Sequence, residues 1–267
     1  MSGRNGEPGR SVLNKSFAIL KALQTVGSGL TRAQISRRTG LPMTTVHRLA
    51  TELRAYGAIE LTDAGTYRIG PWLWELGTRS VRRVMLREIA IPFMEDLYEA
   101  THENVQLAVL DGYDALYLER IHGPRSLPIL TRVGGRLPLH ATGVGKALLA
   151  HAPAEFVEEV IARGLAQMTP HTITDPETLR RDLAEVRRLG YAVTREEMTM
   201  RAVSVAAPVR GPDDEVLAAI SLVVDASSAS VSRLAPAIQT VARSLSRRVC
   251  ERWDLVVQPV DGALAGR

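Results

Sequence analysis

The first third of the chain carries apolar residues at the spacing of amphipathic helices. An initial helix is predicted over residues 11–26 because apolar side chains recur there every three or four positions. These positions are Leu13, Phe17, Leu20 and Leu23. Thr31 and Gln34 have the spacing of a capping box, which predicts a second, short helix that runs to about residue 39. Residues 40–42, Gly-Leu-Pro, then predict a tight turn.

A third helix is predicted from Met43 onward, with apolar positions on one face and polar positions on the other. The apolar positions are Val46, Leu49, Leu53 and Tyr56. The polar face consists of Thr44, Thr45, His47, Arg48, Thr51 and Arg54. Two helices joined by a Gly-containing turn form a helix-turn-helix, whose second helix offers its first residues to base edges in the major groove. Alternating apolar residues in 59–61 and 67–69 flank a turn at 63–65 and predict a β-hairpin, the wing of a winged helix-turn-helix.

Beyond residue 70 the pattern predicts a helix and then a mixed domain. Residues 71–88 are interpreted as a linker helix, in which Trp72 and Trp74 suit either a contact between protomers or ordinary domain packing. Strands are predicted at 105–110, 115–121, 191–194, 203–209 and 216–224. Helices are predicted after Thr142, Pro153 and Asp175 and over residues 232–253. An antiparallel sheet flanked by helices follows, so the expected fold class is α+β.

These elements give the 267-residue chain an expected domain order. Residues 1–10 are expected to be a disordered tail and 11–70 the winged helix-turn-helix. The linker helix occupies 71–88, the second domain 89–253, and a flexible tail 254–267. The first ten residues lack the apolar stretch of a signal peptide, and no run approaches ~18 apolar residues. With a single cysteine, Cys250, these features point to a cytoplasmic protein with no membrane partner.

The net charge of +4 is divided unevenly along the chain. Residues 1–88 contain 14 basic and 6 acidic side chains, a net +8, whereas residues 89–267 contain 19 and 23, a net −4. A basic segment that coincides with a predicted helix-turn-helix favours DNA as its partner. Arg48 is the first candidate for sequence readout, because a guanidinium can pair bidentately with guanine. The predicted DNA contacts are Thr31, Arg32, Met43, Thr44, Thr45, His47, Arg48, Arg54 and Arg68.

An enzyme with an accessory module that resembles a DNA-binding domain is the alternative function. Gly143 and Gly145 precede Lys146 at a predicted helix start, where free backbone amides bind anions. The segment fails the phosphate-loop pattern GxxxxGK[ST], which needs Gly at His140 and Ser or Thr at Ala147. The chain contains no GxSxG or HExxH motif, and its histidines lack metal-ligand spacing. We therefore expect no catalytic residues, no metal and no cofactor.

Several segments follow one another in a recognisable order. They include LTRAQISRRTGLPMTTVHRLATELRAYGAIE, TYRIGPWLWELG, ENVQLAVLDGYDALYLERI, GGRLPLHATGVGKALLA and GYAVTREE. Over about residues 11–250, this order closely resembles the isocitrate lyase regulator (IclR) family of bacterial transcription factors. The resemblance implies a C-terminal effector-binding domain related to the GAF fold. It also implies a homodimer or homotetramer on palindromic double-stranded promoter DNA. Repression and activation both occur in the family, and we expect a repressor of a catabolic operon.

The resemblance further implies an effector site for a small organic, often aromatic, acid. Gly143 and Val144 are implied as donors to a carboxylate, and Ser204 and Ser221 stand where relatives present Cys or Ser. The implied apolar wall consists of Ile129, Leu137 and Ala202, for which plain sheet packing is an equal alternative.

Two positions of this implied site depart from the family pattern. Thr194 stands where some relatives have Asp, so the charge of the site is expected to differ here. Arg201 stands where the family usually has Gly, so the geometry of its loop is also expected to differ.

Overall fold

The computed structural model describes residues 11–24, 29–78, 81–124 and 126–253. The chain divides into two compact units, Met1–Val81 and Arg82–Arg267. The two tails predicted at 1–10 and 254–267 lie outside the described residues, as does the predicted end of the first helix at 25–26.

The first unit contains three helices and a two-stranded wing. The helices are α1 (Val12–Leu23), α2 (Arg32–Thr39) and α3 (Met43–Ala55), and the strands are β1 (Ile59–Leu61) and β2 (Tyr67–Ile69). Thr31 and Gln34 form the predicted capping box at the start of α2. Gly40 ends α2 with φ at 68°, a left-handed conformation that glycine adopts without strain. A backbone bridge between Leu30 and Tyr67 ties the wing to the helices.

The core of the first unit corrects part of the predicted pattern. Ile19 and Leu23 of α1 are buried against α2 and α3, whereas Leu13 and Phe17 lie on the surface, 64% and 52% exposed. Only the face of α1 that packs on α2 and α3 is buried. Apolar residues also occur outside that face, so apolar spacing alone predicts more buried residues than the structure has. Tyr56 is 74% exposed because it is the C-cap of α3, where the chain leaves the helix.

Two helices occupy the region of the predicted linker. Helix α4 covers Pro71–Thr78 and helix α5 covers Val81–Thr101, and residues 79 and 80 between them lie outside the described part of the chain. Helix α5 runs well past residue 88 because its apolar periodicity continues. Its residues Ala90, Met94 and Leu97 are buried in the core of the second unit. The helix predicted to end at residue 88 therefore continues into that unit.

The described part of the second unit is built on a six-stranded antiparallel sheet. Its strands are β3 (Asn104–Asp111), β4 (Asp114–Ile121), β5 (Arg136–Pro138), β6 (Ala192–Arg195), β7 (Ala202–Arg210) and β8 (Val216–Asp225). Their order is β5-β4-β3-β8-β7-β6. The sequence predicted every one of these strands except β5, which is too short to show a period. The predicted α+β class with an antiparallel sheet is confirmed.

Helices cover both faces of this sheet. They are α5, described above, α6 (Gly143–Leu149), α7 (Ala154–Ala162), α8 (Pro176–Leu189) and α9 (Val231–Glu251), with a 3-10 turn at Leu139–Ala141 before α6. Successive strand residues point to opposite faces, so Leu107 packs towards α5 and α9 whereas Ala108 packs in the cluster with α6 and α8. The two helical layers therefore enclose two separate apolar cores, one on each side of the sheet.

Candidate DNA-binding surface and effector cavity

Helix α3 presents its polar face to solvent. Val46, Leu49 and Ala50 fix the opposite face in the core of the first unit. The predicted contacts on α3 are Met43, Thr44, His47, Arg48 and Arg54, which are exposed, and Thr45, which is half-buried. Arg32 at the start of α2 and Arg68 on the wing are also exposed. The unit therefore displays a cationic, hydroxyl-bearing surface on the elements that a winged helix-turn-helix applies to DNA.

Three cationic side chains of this surface, those of Arg32, Arg48 and Arg68, already have partners. Arg48 Nη1 donates to Glu52 Oε1 at 2.8 Å, and Arg68 pairs with Glu60 across the wing. Arg32 Nη1 lies 3.2 Å from His47 Nδ1, which must accept because a guanidinium can only donate. Exposed ion pairs contribute ~0 to 1 kcal/mol, so exchanging Glu52 or Glu60 for a phosphate or a base costs little.

Thr31 has a structural task in addition to its predicted one. Its hydroxyl oxygen accepts the Gln34 amide at 3.3 Å, and its own amide donates to Gln34 Oε1 at 2.8 Å. These bonds satisfy two amide donors at the start of α2 and hold that helix in register. A DNA contact by Thr31 stays a prediction.

A small cavity opens within the second unit, between the sheet and the start of α6. Its volume is about 40 Å³. Its lining comes from all six strands of the sheet, the segment before β5, the start of α6 and the residues that connect β6 to β7. These residues are Gln106, Tyr117, Ile129, Thr131, Leu137, Thr142, Gly143, Thr194, Met198, Thr199, Ala202, Ser204 and Val223. None of these lining residues carries a formal charge, so a ligand here would meet hydroxyl, amide and apolar groups.

Buried hydrogen bonds fix the polar side of the cavity. Gln106 Nε2 donates to Thr131 Oγ1 at 3.0 Å, and Ser221 Oγ donates to Gln106 Oε1 at 3.3 Å. Burial raises the pKa of Tyr117 far above its ordinary value, against the lowering effect of the Thr142 and Thr131 hydroxyls. Tyr117 is therefore a neutral phenol that can donate or accept a hydrogen bond inside the cavity.

Glycine is required where α6 meets the sheet. A Cβ on Gly143 would lie 2.5 Å from Ser204 Oγ, and one on Gly145 would lie 2.4 Å from the Leu139 carbonyl oxygen. Thr142 caps the helix, because its Oγ1 accepts the Gly145 amide at 3.1 Å. The close approach of backbone to sheet brings Gly143 to the cavity wall.

The structure places six of the eight predicted effector residues in the cavity lining, and the other two, Val144 and Ser221, lie outside that lining. The six are Ile129, Leu137, Gly143, Thr194, Ala202 and Ser204. The Val144 side chain is buried in the apolar core around α6, so only its backbone amide could serve a ligand. Ser221 is fully buried behind Gln106 and acts on the cavity only through that side chain.

Sequence reasoning missed the amide and most of the hydroxyls in the lining. The missed residues are Gln106, Tyr117, Thr131, Thr142, Met198, Thr199 and Val223. Gln106 gave a usable signal, because an amide side chain between apolar neighbours in strand β3 needs a buried partner. Met198 and Thr199 lie in a connection without periodicity, so no pattern marked them.

The described residues offer neither a candidate metal site nor a membrane-spanning helix. They contain no group of three or more His, Cys, Asp and Glu side chains placed to hold a metal ion. None of the described helices combines the length and apolar character that crossing a bilayer requires.

A DNA-binding unit joined to a cavity-bearing α+β unit defines the class of ligand-binding transcriptional regulators, and comparison with known proteins gives the family. Residues 12–63 match the IclR helix-turn-helix domain, and residues 78–247 match the C-terminal domain of the bacterial transcriptional regulator IclR. The chain belongs to the IclR family. It is a DNA-binding transcriptional regulator and not an enzyme, which removes the alternative left open by the sequence.

Relatives in this family align along most of the chain. The transcriptional regulator BhcR of Paracoccus denitrificans is 34% identical over 94% of this chain and 92% of its own length. The transcriptional repressor AllR of Escherichia coli K12 is 31% identical over 82% of this chain and 85% of its own. A solved IclR homologue from Microbacterium hydrocarbonoxydans, complexed with 4-hydroxybenzoate, is 35% identical with a TM-score of 0.84, covering 90% of this chain and 99% of that one.

Proposed function

We propose that this regulator represses a catabolic operon and that a small organic acid in the cavity modulates its binding to palindromic promoter DNA. The observation that carries the proposal is the uncharged, hydroxyl-rich cavity in a unit separate from the helix-turn-helix. A ligand that binds one conformational state more tightly than another shifts the population of the state that binds DNA. Repressors among the relatives support the direction of regulation.

An aromatic acid is the effector that best suits the chemistry of the cavity lining. Ile129, Leu137 and Ala202 offer apolar contacts, while Tyr117, Thr131 and Ser204 offer hydroxyls. The backbone amides of Gly143 and Val144, in the first turn of α6, are the proposed donors to the carboxylate. The bound 4-hydroxybenzoate of the Microbacterium homologue has this combination of ring, hydroxyl and carboxylate and supports the same class here.

The DNA-binding surface proposed here comprises the exposed polar face of α3, Arg32 and the wing residue Arg68. Phosphate contacts would supply most of the affinity and its salt dependence, whereas base contacts supply sequence discrimination. We also propose that the protein acts as a homodimer or homotetramer in the cytoplasm, where promoter DNA is found.

The experiment that tests DNA readout replaces Arg48 by Ala in the full chain. An operator is first selected from a pool of random duplexes, and Kd is then measured for the operator and for a scrambled duplex at several salt concentrations. If Arg48 reads a guanine, Arg48→Ala weakens operator binding by ~1 to 3 kcal/mol and reduces discrimination against the scrambled duplex. If it clamps a phosphate, both duplexes weaken equally and the salt slope falls by about one.

Arg188→Ala is the matched control. It removes the same charge from an exposed guanidinium that pairs with a carboxylate, Glu185, on α8 of the second unit. We expect its Kd for both duplexes to equal that of the unmodified protein. Unchanged operator binding by Arg48→Ala would remove Arg48 from the DNA-binding surface.

A further inference from the structure

A buried ion cluster lies beside the cavity and has no part in the function proposed so far. The Lys146 side chain on α6 is fully buried, and its Nζ lies 2.8 Å from Glu197 Oε1 and 2.7 Å from Asp182 Oδ2. Asp182 belongs to α8, and Glu197 follows β6. Burial raises the pKa of Glu197, against the lowering effect of Lys146. A buried charge is tolerated only when it is paired, so the three groups hold their elements together.

Glu197 belongs to residues 196–201, which connect β6 to β7 and are named here the cap segment. Met198 and Thr199 of this segment line the cavity. Its two end residues, Glu196 and Arg201, have φ of 58° and 64° in the left-handed region, where a residue with a side chain is strained. The Arg201 amide donates to Glu196 Oε1 at 2.7 Å, and its guanidinium pairs with Asp225. Local bonds thus compensate a backbone shape that glycine would adopt freely.

The other side of the cavity comes from the start of α6, one turn before Lys146. Thr142 and Gly143 contribute to that wall. The ion pair between Lys146 and Glu197 therefore links two walls of the cavity, the start of α6 and the cap segment, although neither residue lines the cavity itself. Hydroxyls of Thr169 and Thr172 also hold the segment, each donating to a backbone oxygen, of Glu196 and Glu197 respectively, at 2.6 Å.

The size of the cavity requires one of its walls to move when a ring enters. A volume of about 40 Å³ holds a few water molecules. An apolar cavity that binds benzene measures ~150 Å³. The strands of the sheet are fixed by their ladders, whereas the cap segment is a six-residue connection with strained ends. The cap segment is therefore the wall that adjusts.

We propose that Glu197, through its ion pair with the buried Lys146, is the positioning residue that holds the cap segment closed over the cavity. It sets how large a ligand the cavity admits and how long the ligand stays. The ligand part of this inference rests on the function proposed above, whereas the closure of the segment does not. Glu197 itself touches no ligand.

The test compares Glu197→Gln with Asp182→Asn, a matched control. Each variant removes one carboxylate charge and leaves Lys146 with a single acidic partner, so each retains one neutral ion pair. Only Glu197→Gln removes the ion pair to the cap segment, because Asp182 lies on α8. Hydrogen–deuterium exchange of the full chain without ligand reports opening of residues 196–202, and residues 216–225 of β8 serve as the internal reference.

We expect residues 196–202 to exchange about tenfold faster in Glu197→Gln and within about twofold of the unmodified rate in Asp182→Asn. Residues 216–225 should be unchanged in both variants. Equal acceleration in the two variants, or none in Glu197→Gln, would overturn the proposal. If Glu197→Gln does not fold, Glu197→Asp keeps the charge but shortens its reach, and the same comparison applies, with acceleration expected only in the segment.

The dissociation rate of 4-hydroxybenzoate, used as the probe, tests the ligand part. We expect faster dissociation from Glu197→Gln than from Asp182→Asn. If hydrogen–deuterium exchange changes as expected but the probe binds to no variant, the aromatic-acid effector is contradicted. The closure of the cap segment by Glu197 is then still supported. If the probe binds but the exchange rates of residues 196–202 are equal in the two variants, the aromatic-acid effector is supported and the closure of the cap segment by Glu197 is contradicted.

Discussion

Ser204 and Ser221 have the same side chain on adjacent strands, but the structure gives them different tasks. Ser204 lines the cavity, whereas Ser221 is fully buried and donates to Gln106. We expect Ser204→Ala to weaken binding of a hydroxylated aromatic acid by ~0.5 to 1.5 kcal/mol, through loss of one hydrogen bond. Ser221→Ala should instead lower the free energy of unfolding by ~1 kcal/mol, because Gln106 Oε1 loses a buried donor.

Titration calorimetry with 4-hydroxybenzoate and urea unfolding of both variants check this pair. Each variant serves as the control of the other, since both delete one hydroxyl from the same sheet. Weaker ligand binding in Ser221→Ala alone would place the ligand on the other side of Gln106. The sequence predicted a polar site on these strands, but strand periodicity alone could not tell which serine faces open space.

The Asp111 carboxylate, at the end of β3, forms ion pairs with residues of α5 and β5 and so links these three elements. Asp111 accepts from Arg83 of α5 at 2.5 Å and from Arg136 Nε of β5 at 2.9 Å. The hydrogen bonds from Arg136 and then Arg83 hold the pKa of Asp111 below its ordinary value of 3.8. Because the folded pKa is depressed, the stabilisation is present above pH 3.8 and is lost as the pH falls through the folded value.

We therefore expect Asp111→Asn to lower the free energy of unfolding by ~1 kcal/mol at pH 7, since its partners are partly exposed. The difference from the unmodified protein should shrink steadily below pH 3.8. Urea unfolding across this pH range measures it. Asp114→Asn, at the other end of the same turn, is the control and should change little at any pH. A difference for Asp111→Asn that is independent of pH would show that its charge is not responsible.

At the element scale, the sequence correctly predicted helix starts that depend on contacts between neighbouring residues. The capping box at Thr31 and Asp175 at the start of α8 are both seen as predicted, because each cap is a contact between near neighbours in the chain. The cavity was predicted less completely, because its wall is assembled from strands, a helix start and the cap segment. The pairing of Lys146 with Glu197 joins residues 51 positions apart, and no periodicity reports such a contact.

The whole molecule combines two units of opposite charge, and its proposed assembly depends on a surface of the first. On α4, Trp72, Trp74 and Leu76 are 40%, 71% and 47% exposed. Exposed tryptophan and leucine side chains of this kind are typical of protein–protein contacts. Binding to both halves of a palindrome requires two DNA-binding units held together, and linking two binding events raises the apparent affinity by ~10²- to 10⁴-fold.

Trp74→Glu tests this assembly, because a charge in an apolar contact between protomers carries a large desolvation cost. Light scattering coupled to size exclusion should show a dimer or tetramer for the unmodified protein and a smaller species for Trp74→Glu. Binding to a two-half-site operator should weaken markedly, whereas binding to a single half-site should not. Val133→Glu, an equivalent change at an exposed apolar residue of the second unit, should alter neither property. A monomeric unmodified protein, or an unchanged assembly in Trp74→Glu, would contradict the proposal that Trp74 of α4 joins protomers.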